Sequence, residues 1–253
     1  MSWQVFAASA VGSSHIASGL PCQDAFAHQV VDDVLCAAVC DGAGSAAAAD
    51  QGARHLAQGV VAALVRRLAQ RPELPSLTAS DLRDELETII HALRGELKAC
   101  ADQAGRALSE YASTLVGVVA RPDQGWLFHI GDGLAVACPR AEGAPEQVSR
   151  PENGEYANET YFVTGETWQA HLRLTPICEP VSTVVLMSDG AAPFSMQPNL
   201  AGLFRPFMDP VAQYLRSATT AEGDEALAGL LADPRTEAIT SDDKTLLIAL
   251  WRT

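Results

Sequence analysis

Three aspartates stand where an apolar run meets a turn of small residues: Val39-Cys40-Asp41-Gly42-Ala43-Gly44, Ile130-Gly131-Asp132-Gly133 and Leu186-Met187-Ser188-Asp189-Gly190. A strand end is a rigid mount for a ligand, and the glycine beside it lets backbone come close to a cation or to water held by one. Asp24 follows Gln23 at the start of another apolar run, and Asp242 leads Asp243-Lys244-Thr245 into the last one. Oxygen donors of this kind suit hard cations such as Mg²⁺ and Mn²⁺. Each aspartate alone reads as an ordinary turn former. Five at strand boundaries of one chain point to a shared cation site.

The elements that must position them follow from periodicity. Strand-like runs at 3–8, 25–31 and 34–40 open the chain, separated by turns rich in Gly, Ser and Asp. An Ala-rich stretch at 45–70 then carries Leu56, Val60, Leu64 and Leu68 on one helical face, and 81–106 repeats the pattern after Pro72 and Pro75. Strands are expected again at 114–120, 126–130, 134–138, 160–164 and 183–187, helices at 211–217 and 222–231, and a terminal apolar strand at 245–251. Runs of strands with helices inserted as a pair predict an α+β fold, with two largely antiparallel sheets stacked as a central β-sandwich and helices outside. Residues 139–158 are rich in Pro, Gly, Glu and Asn and read as an exposed excursion.

A chain of 253 residues with 48% hydrophobic and 19% charged side chains suits one folded domain, 1–253. With Lys+Arg of 17 against Asp+Glu of 31, the formal net charge is −14, which opposes nucleic-acid binding. The six cysteines are scattered, and Cys36 and Cys40 lack the tight CxxC turn of a zinc site, so reduced cytosolic thiols are expected. Neither a secretory signal nor a run long enough to span a bilayer is visible, which predicts a cytoplasmic protein without a membrane partner.

The ordered set Gln23-Asp24-Ala25, Asp41-Gly42-Ala43-Gly44, Ser113-Thr114-Leu115, Gly131-Asp132-Gly133, Ser188-Asp189-Gly190 and Asp242-Asp243-Lys244-Thr245 resembles the motifs of the metal-dependent (type 2C, PPM) serine/threonine protein phosphatases. Gly12-Ser13-Ser14-His15, Leu20-Pro21-Cys22-Gln23-Asp24 and Gly154-Glu155-Tyr156-Ala157-Asn158-Glu159-Thr160 are similar to a bacterial subgroup. The resemblance implies a four-layer αββα sandwich with a flap-like excursion around 139–180. It implies that Asp41 bridges two Mn²⁺ or Mg²⁺ ions with help from the carbonyl of Gly42, that Asp24 reaches the pair through water, and that Asp189 and Asp242 complete the shell. Asp132, with Asp189, would hold a third, weaker ion. Water between the cations would attack phosphorus, and the substrate would be phosphoserine or phosphothreonine in a protein, opposed by a partner kinase.

Three positions depart from that pattern. Gly19 stands where many relatives place a phosphate-gripping arginine, Ala43 stands where some carry a histidine, and Gly133-Leu134 replace serine and arginine. His15 is the nearest polar substitute, able to bind phosphate or to protonate the leaving alkoxide. Gly154 to Thr160 could form a substrate-side flap with Glu155, Asn158 and Glu159 reaching the pocket. A different class also fits the missing arginine: a catalytically weak, phosphatase-like module that binds a phosphoprotein as a regulatory switch. Gly42-Ala43-Gly44-Ser45-Ala46-Ala47 has the form of a dinucleotide-binding turn, but Asp41 would repel a pyrophosphate, and no acidic residue ends a second strand about 20 residues on.

Overall fold

The computed structural model describes residues 2–152 and 160–252. Among these residues ten strands make two five-stranded sheets. The first contains β1 (Ser2–Ala10), β10 (Lys244–Arg252), β9 (Val181–Met187), β6 (Leu134–Pro139) and β7 (Gln147–Ser149), in that spatial order. The second runs β2 (Ala25–Val31), β3 (Val34–Cys40), β4 (Leu115–Ala120), β5 (Gly125–Ile130) and β8 (Arg173–Ile177). Every pairing is antiparallel. An antiparallel setting for the strand before Gly42-Ala43-Gly44 excludes the parallel βαβ unit that a dinucleotide turn requires.

Period-two alternation decides which side chains fill the space between the sheets. Val5, Leu35, Val39, Val118, Leu186 and Leu247 meet there. The alternate residues of β3, Cys36, Ala38 and Cys40, face outward under α2 (Ala49–Gln70), which presents Leu56, Val60 and Leu64. Helix α3 (Ala79–Ala104) packs on α2 and covers the same face. It starts where Thr78 caps the backbone N–H of Asp81 at 3.2 Å and stops at Gly105 in the left-handed conformation. Phe6, Val185 and Ile248 face the other way, under α5 (Arg205–Leu215) and α6 (Thr220–Leu231). The expected αββα layering is present.

Strand β10 lies between β1 and β9, so its apolar side chains are buried on both faces. The expected strand at 160–164 does not form: Val163 instead turns into the core, and its N–H donates to Ser113 O. Within the excursion around 139–180, β7 and β8 pair into the sheets as edge strands, where the missing N–H of Pro176 breaks no ladder. The flap residues Glu155, Asn158 and Glu159 lie outside the described residues.

Two glycines give opposite expectations. A Cβ on Gly190 would stand 2.0 Å from the carbonyl oxygen of Asp243, where the β9 and β10 ends meet, whereas one on Gly229 in α6 would meet nothing within 4 Å. Gly190→Ala should therefore lower stability by about 1–3 kcal/mol, and Gly229→Ala should raise it by about 0.5–1 kcal/mol. Thermal unfolding of both variants checks the pair.

Candidate metal centre

Five aspartate-bearing segments meet at one end of the sandwich. Asp41 leaves β3, and its loop is tied to the segment before β4: Asp41 N–H donates to Thr114 Oγ1 at 3.0 Å, Thr114 N–H to Asp41 O at 2.8 Å, and Ala43 N–H to Ala112 O at 2.9 Å. This is what the Ser113-Thr114 pair does; it braces the aspartate loop. Gly42 bridges to Ser113, and its N–H donates to Gln23 O at 3.2 Å, which brings Asp24 alongside. Ser188 then joins the sheets, its hydroxyl donating to Asp24 Oδ2 at 2.7 Å while accepting the N–H of Thr245 at 2.9 Å. Asp189 follows it, Asp132 enters from the turn before β6, and Asp242 from the turn before β10.

Carboxylate oxygens of Asp41, Asp132 and Asp189 lie within 4.8 Å of one another. Asp24 stands close enough for its charge to act on Asp41, and Asp242 stands at the exposed side, close enough to act on Asp189. Gly42 is buried in the Asp41 loop. His15 lies apart from the cluster but faces its loop, since a Cβ on Gly44 would stand 3.8 Å from His15 Nε2. The glycine at position 19 also has a structural role. Gly19 sits at φ 68° and caps the short helix α1 (Ser13–Ser18), a left-handed role that an arginine would fill at a cost.

Charge balance is what this cluster lacks. Among the described residues no Lys or Arg forms an ion pair with Asp24, Asp41, Asp132, Asp189 or Asp242. The Oδ1 atoms of Asp24, Asp132 and Asp189 are buried without a hydrogen-bond partner. Buried, unpaired carboxylates are strongly unfavourable, and oxygen-only donors around one point are what Mg²⁺ or Mn²⁺ would satisfy. The residues fit divalent cations.

Without cations, protons substitute. Burial, then the charges of Asp24 and Asp189, raises Asp41 well above the ordinary carboxylate range. Burial pushes Asp24 up to about 7, and burial also raises Asp189. Asp24, Asp41 and Asp189 act on one another, so they titrate as a group and not singly.

A partner that sequence reasoning missed is Asp243. Buried at 2% exposure, it accepts from His15 Nδ1 at 2.9 Å, from Gly12 N–H at 2.6 Å and from Gln23 N–H at 2.5 Å. One carboxylate thus holds the His15 turn and the start of the Asp24 segment together. The buried location of the second acid in Asp242-Asp243 was the available signal, but its partners are more than 200 residues away. Cys22, beside Asp24 and Asp243, is no nucleophile: burial drives its thiol well above its ordinary value.

A family model for protein phosphatase 2C matches residues 11–232. Serine/threonine-protein phosphatase 3 of Escherichia coli (strain K12) is 33% identical over 260 residues, covering 99% of each chain. Among solved structures, the catalytic domain of the serine/threonine protein phosphatase PstP in complex with two manganese ions superposes with a TM-score of 0.60 at 19% identity, over 98% of this chain and 97% of that one. PppA, described as a key regulatory component of T6SS in Pseudomonas aeruginosa, gives 0.61 at 20% identity, over 99% and 98%.

Raised carboxylate values have a definite consequence for stability. The stabilisation of the metal-free fold by these protons is complete below the unfolded value near 3.8 and is lost as pH rises through about 7, where Asp24 ionises. His129 acts oppositely. Burial, helped by Arg173, holds it neutral, so acidification below about 6.5 costs stability through it. Because His129 is outside the carboxylate cluster, the rise in Tm produced by Mn²⁺ reads the carboxylates: it should be largest near pH 8, shrink toward about pH 5, and be mostly abolished in Asp41→Asn. Calorimetry with and without Mn²⁺ reads this directly.

Proposed function

The chain belongs to the protein phosphatase 2C family and is a metal-dependent serine/threonine protein phosphatase, and we propose that hydrolysis of phosphoserine and phosphothreonine occurs at the cluster of Asp24, Asp41, Asp132, Asp189 and Asp242. The observation that carries this assignment is the cluster of carboxylates without ion-pair partners among the described residues, three of which hold a buried oxygen that no hydrogen bond satisfies. Asp41, the carbonyl of Gly42, Asp24, Asp189 and Asp242 would hold two divalent cations, Mn²⁺ or Mg²⁺, and Asp132 with Asp189 a third, weaker one. Cations bound there supply positive charge for the phosphoryl oxygens and acidify water for attack.

The chain's own residues do the rest. The carboxylates exclude a phosphate dianion from the unloaded site by repulsion, so substrate binding and cation binding are linked. Ser188 is occupied on both sides, by Asp24 and by Thr245 N–H, so it braces the site and does not attack phosphorus. With Gly19 and Ala43 in place of the usual arginine and histidine, His15 is the polar group that serves the phosphate side. Asp243 accepts the proton-bearing Nδ1 and thereby fixes the ring with Nε2 toward the Asp41 loop. From there Nε2 can bind a phosphoryl oxygen or give a proton to the departing serine or threonine oxygen. The binding-only reading has less support, because a phosphoprotein adaptor has no use for so much buried negative charge.

The protein partner is a phosphoprotein, and a kinase acting on the same residue is the opposing activity we propose beside it. Six free cysteines support a reducing, cytoplasmic setting, and no helix among the described residues is long and apolar enough to cross a membrane.

Chelator-stripped protein should release phosphate from para-nitrophenyl phosphate and from a phosphothreonine peptide only when Mn²⁺ or Mg²⁺ is restored. Asp41→Asn should lose turnover on both by several orders of magnitude while remaining folded; cation-independent turnover, or full activity in that variant, would overturn the assignment. His15→Ala should lower kcat/KM on the peptide by about 10²-fold. A higher KM on both substrates identifies phosphate binding, a kcat loss confined to the peptide identifies proton donation, and unchanged kinetics removes His15 from the reaction.

A further inference from the structure

Beyond Asp189 the chain builds a second concavity that the hydrolytic chemistry does not use. A cleft of about 300 Å³ has Asp189 at one end and is walled by Ala192, Pro193, Met196, Pro198 and Leu200. Asp189 is shared with the carboxylate cluster, so the cleft opens beside the point where a phosphoryl group must sit.

The wall is braced. Its outer loop leaves the short helix α4 (Ala192–Ser195) and returns through a bridge between Met196 and Leu203. Gln197 N–H donates to Gly202 O at 2.9 Å, Leu200 N–H to Gln197 O at 2.8 Å, and Ala201 N–H to Asn199 Oδ1 at 3.1 Å. Two prolines, Pro193 and Pro198, fix the backbone further. Leu200 is held at φ 53°, a left-handed conformation that a branched side chain rarely adopts. Strain of this kind persists where surrounding structure over-determines it, and it is enriched at ligand clamps. Here it keeps a leucine, partly buried against the core, on the wall of the cleft.

The lining decides what fits. Gln197 donates one side-chain N–H to Leu203 O at 3.4 Å, which turns its amide toward the loop. In the cation-loaded protein Asp189 would be committed to metal. The remaining wall is aliphatic and prolyl, with no basic group to meet an acidic side chain.

We propose that this cleft is a substrate subsite, taking one apolar side chain of the phosphoprotein that flanks the phosphorylated serine or threonine. The proposal rests on the phosphatase assignment and adds a sequence preference to it. An extended peptide advances about 3.3–3.6 Å per residue, so a side chain within about three positions of the phosphoresidue is the one that reaches.

The test compares Mn²⁺-loaded full-length protein on phosphothreonine peptides that differ only by Leu or Ser at each position from three before to three after the phosphothreonine, with para-nitrophenyl phosphate as reference. The expected result is a preference of roughly tenfold or more in kcat/KM for leucine at one position, carried by KM. Leu200→Asn, a residue that tolerates the left-handed backbone, should erase that preference and leave para-nitrophenyl phosphate turnover unchanged; Leu200→Gly, which carries no strain there, repeats the test should the asparagine variant unfold. Intact para-nitrophenyl phosphate turnover with no leucine preference, or a preference that survives both substitutions, would overturn the subsite alone. A wild-type protein inert toward every substrate would overturn the phosphatase assignment and the subsite with it.

Discussion

Negative charge that no basic side chain among the described residues neutralises is the constraint on which the rest of this molecule depends. Five segments far apart in sequence deliver carboxylates to one end of the sandwich, and each delivery costs desolvation that the fold alone does not repay. The hydrogen bonds nearby make sense as bracing against that repulsion. Ser188 ties Asp24 to β10, Thr114 ties Asp41 to β4, and Asp243 ties the His15 turn and Gln23 to the strand that carries Asp242. None of these bonds removes the charge. They hold the acids where a cation can.

The same constraint explains why the site sits at strand ends. A long apolar strand such as β9 or β10 is anchored on both faces, so the residue just beyond it has little freedom. Asp189 and Asp242 inherit their positions from that packing, and Gly190 lets the two ends touch. The helices contribute indirectly: α2 begins right after the Asp41 loop and clamps β3 from outside. Local departures also become intelligible. Glycine at position 19 serves as a helix cap, which leaves the phosphate side to His15, and Asp243 in turn makes a histidine there rigid enough to be useful.

Much of this was legible in the sequence because the signals were local. Asp-Gly pairs after apolar runs located Asp41, Asp132 and Asp189, and leucines four apart located α2 and α3 within a few residues. The terminal strand was legible from hydropathy alone. What escaped depended on partners distant in sequence. Strands β7 and β8 are short edge strands with polar residues or a proline, so neither alternation nor β propensity marks them, and they form only because β6 and β5 offer a free edge. Residues 160–164 carry strand-forming residues, yet Val163 is drawn into the core beside Ser113 and the run becomes a turn. The bond from His15 to Asp243 spans 228 positions and has no local trace. The cleft beside Asp189 arises from a loop whose prolines read only as punctuation.

The central claim is that divalent cations are the missing counter-charge, and direct counting of bound metal tests it without relying on turnover. Equilibrium dialysis of Mn²⁺ into chelator-stripped protein, followed by electron paramagnetic resonance at saturation, should show two tightly held ions per chain with the broadened spectrum of a magnetically coupled pair, collapsing when Asp41 is replaced by asparagine. Folded protein that binds no Mn²⁺, or that binds isolated, uncoupled ions unaffected by Asp41→Asn, would contradict the account.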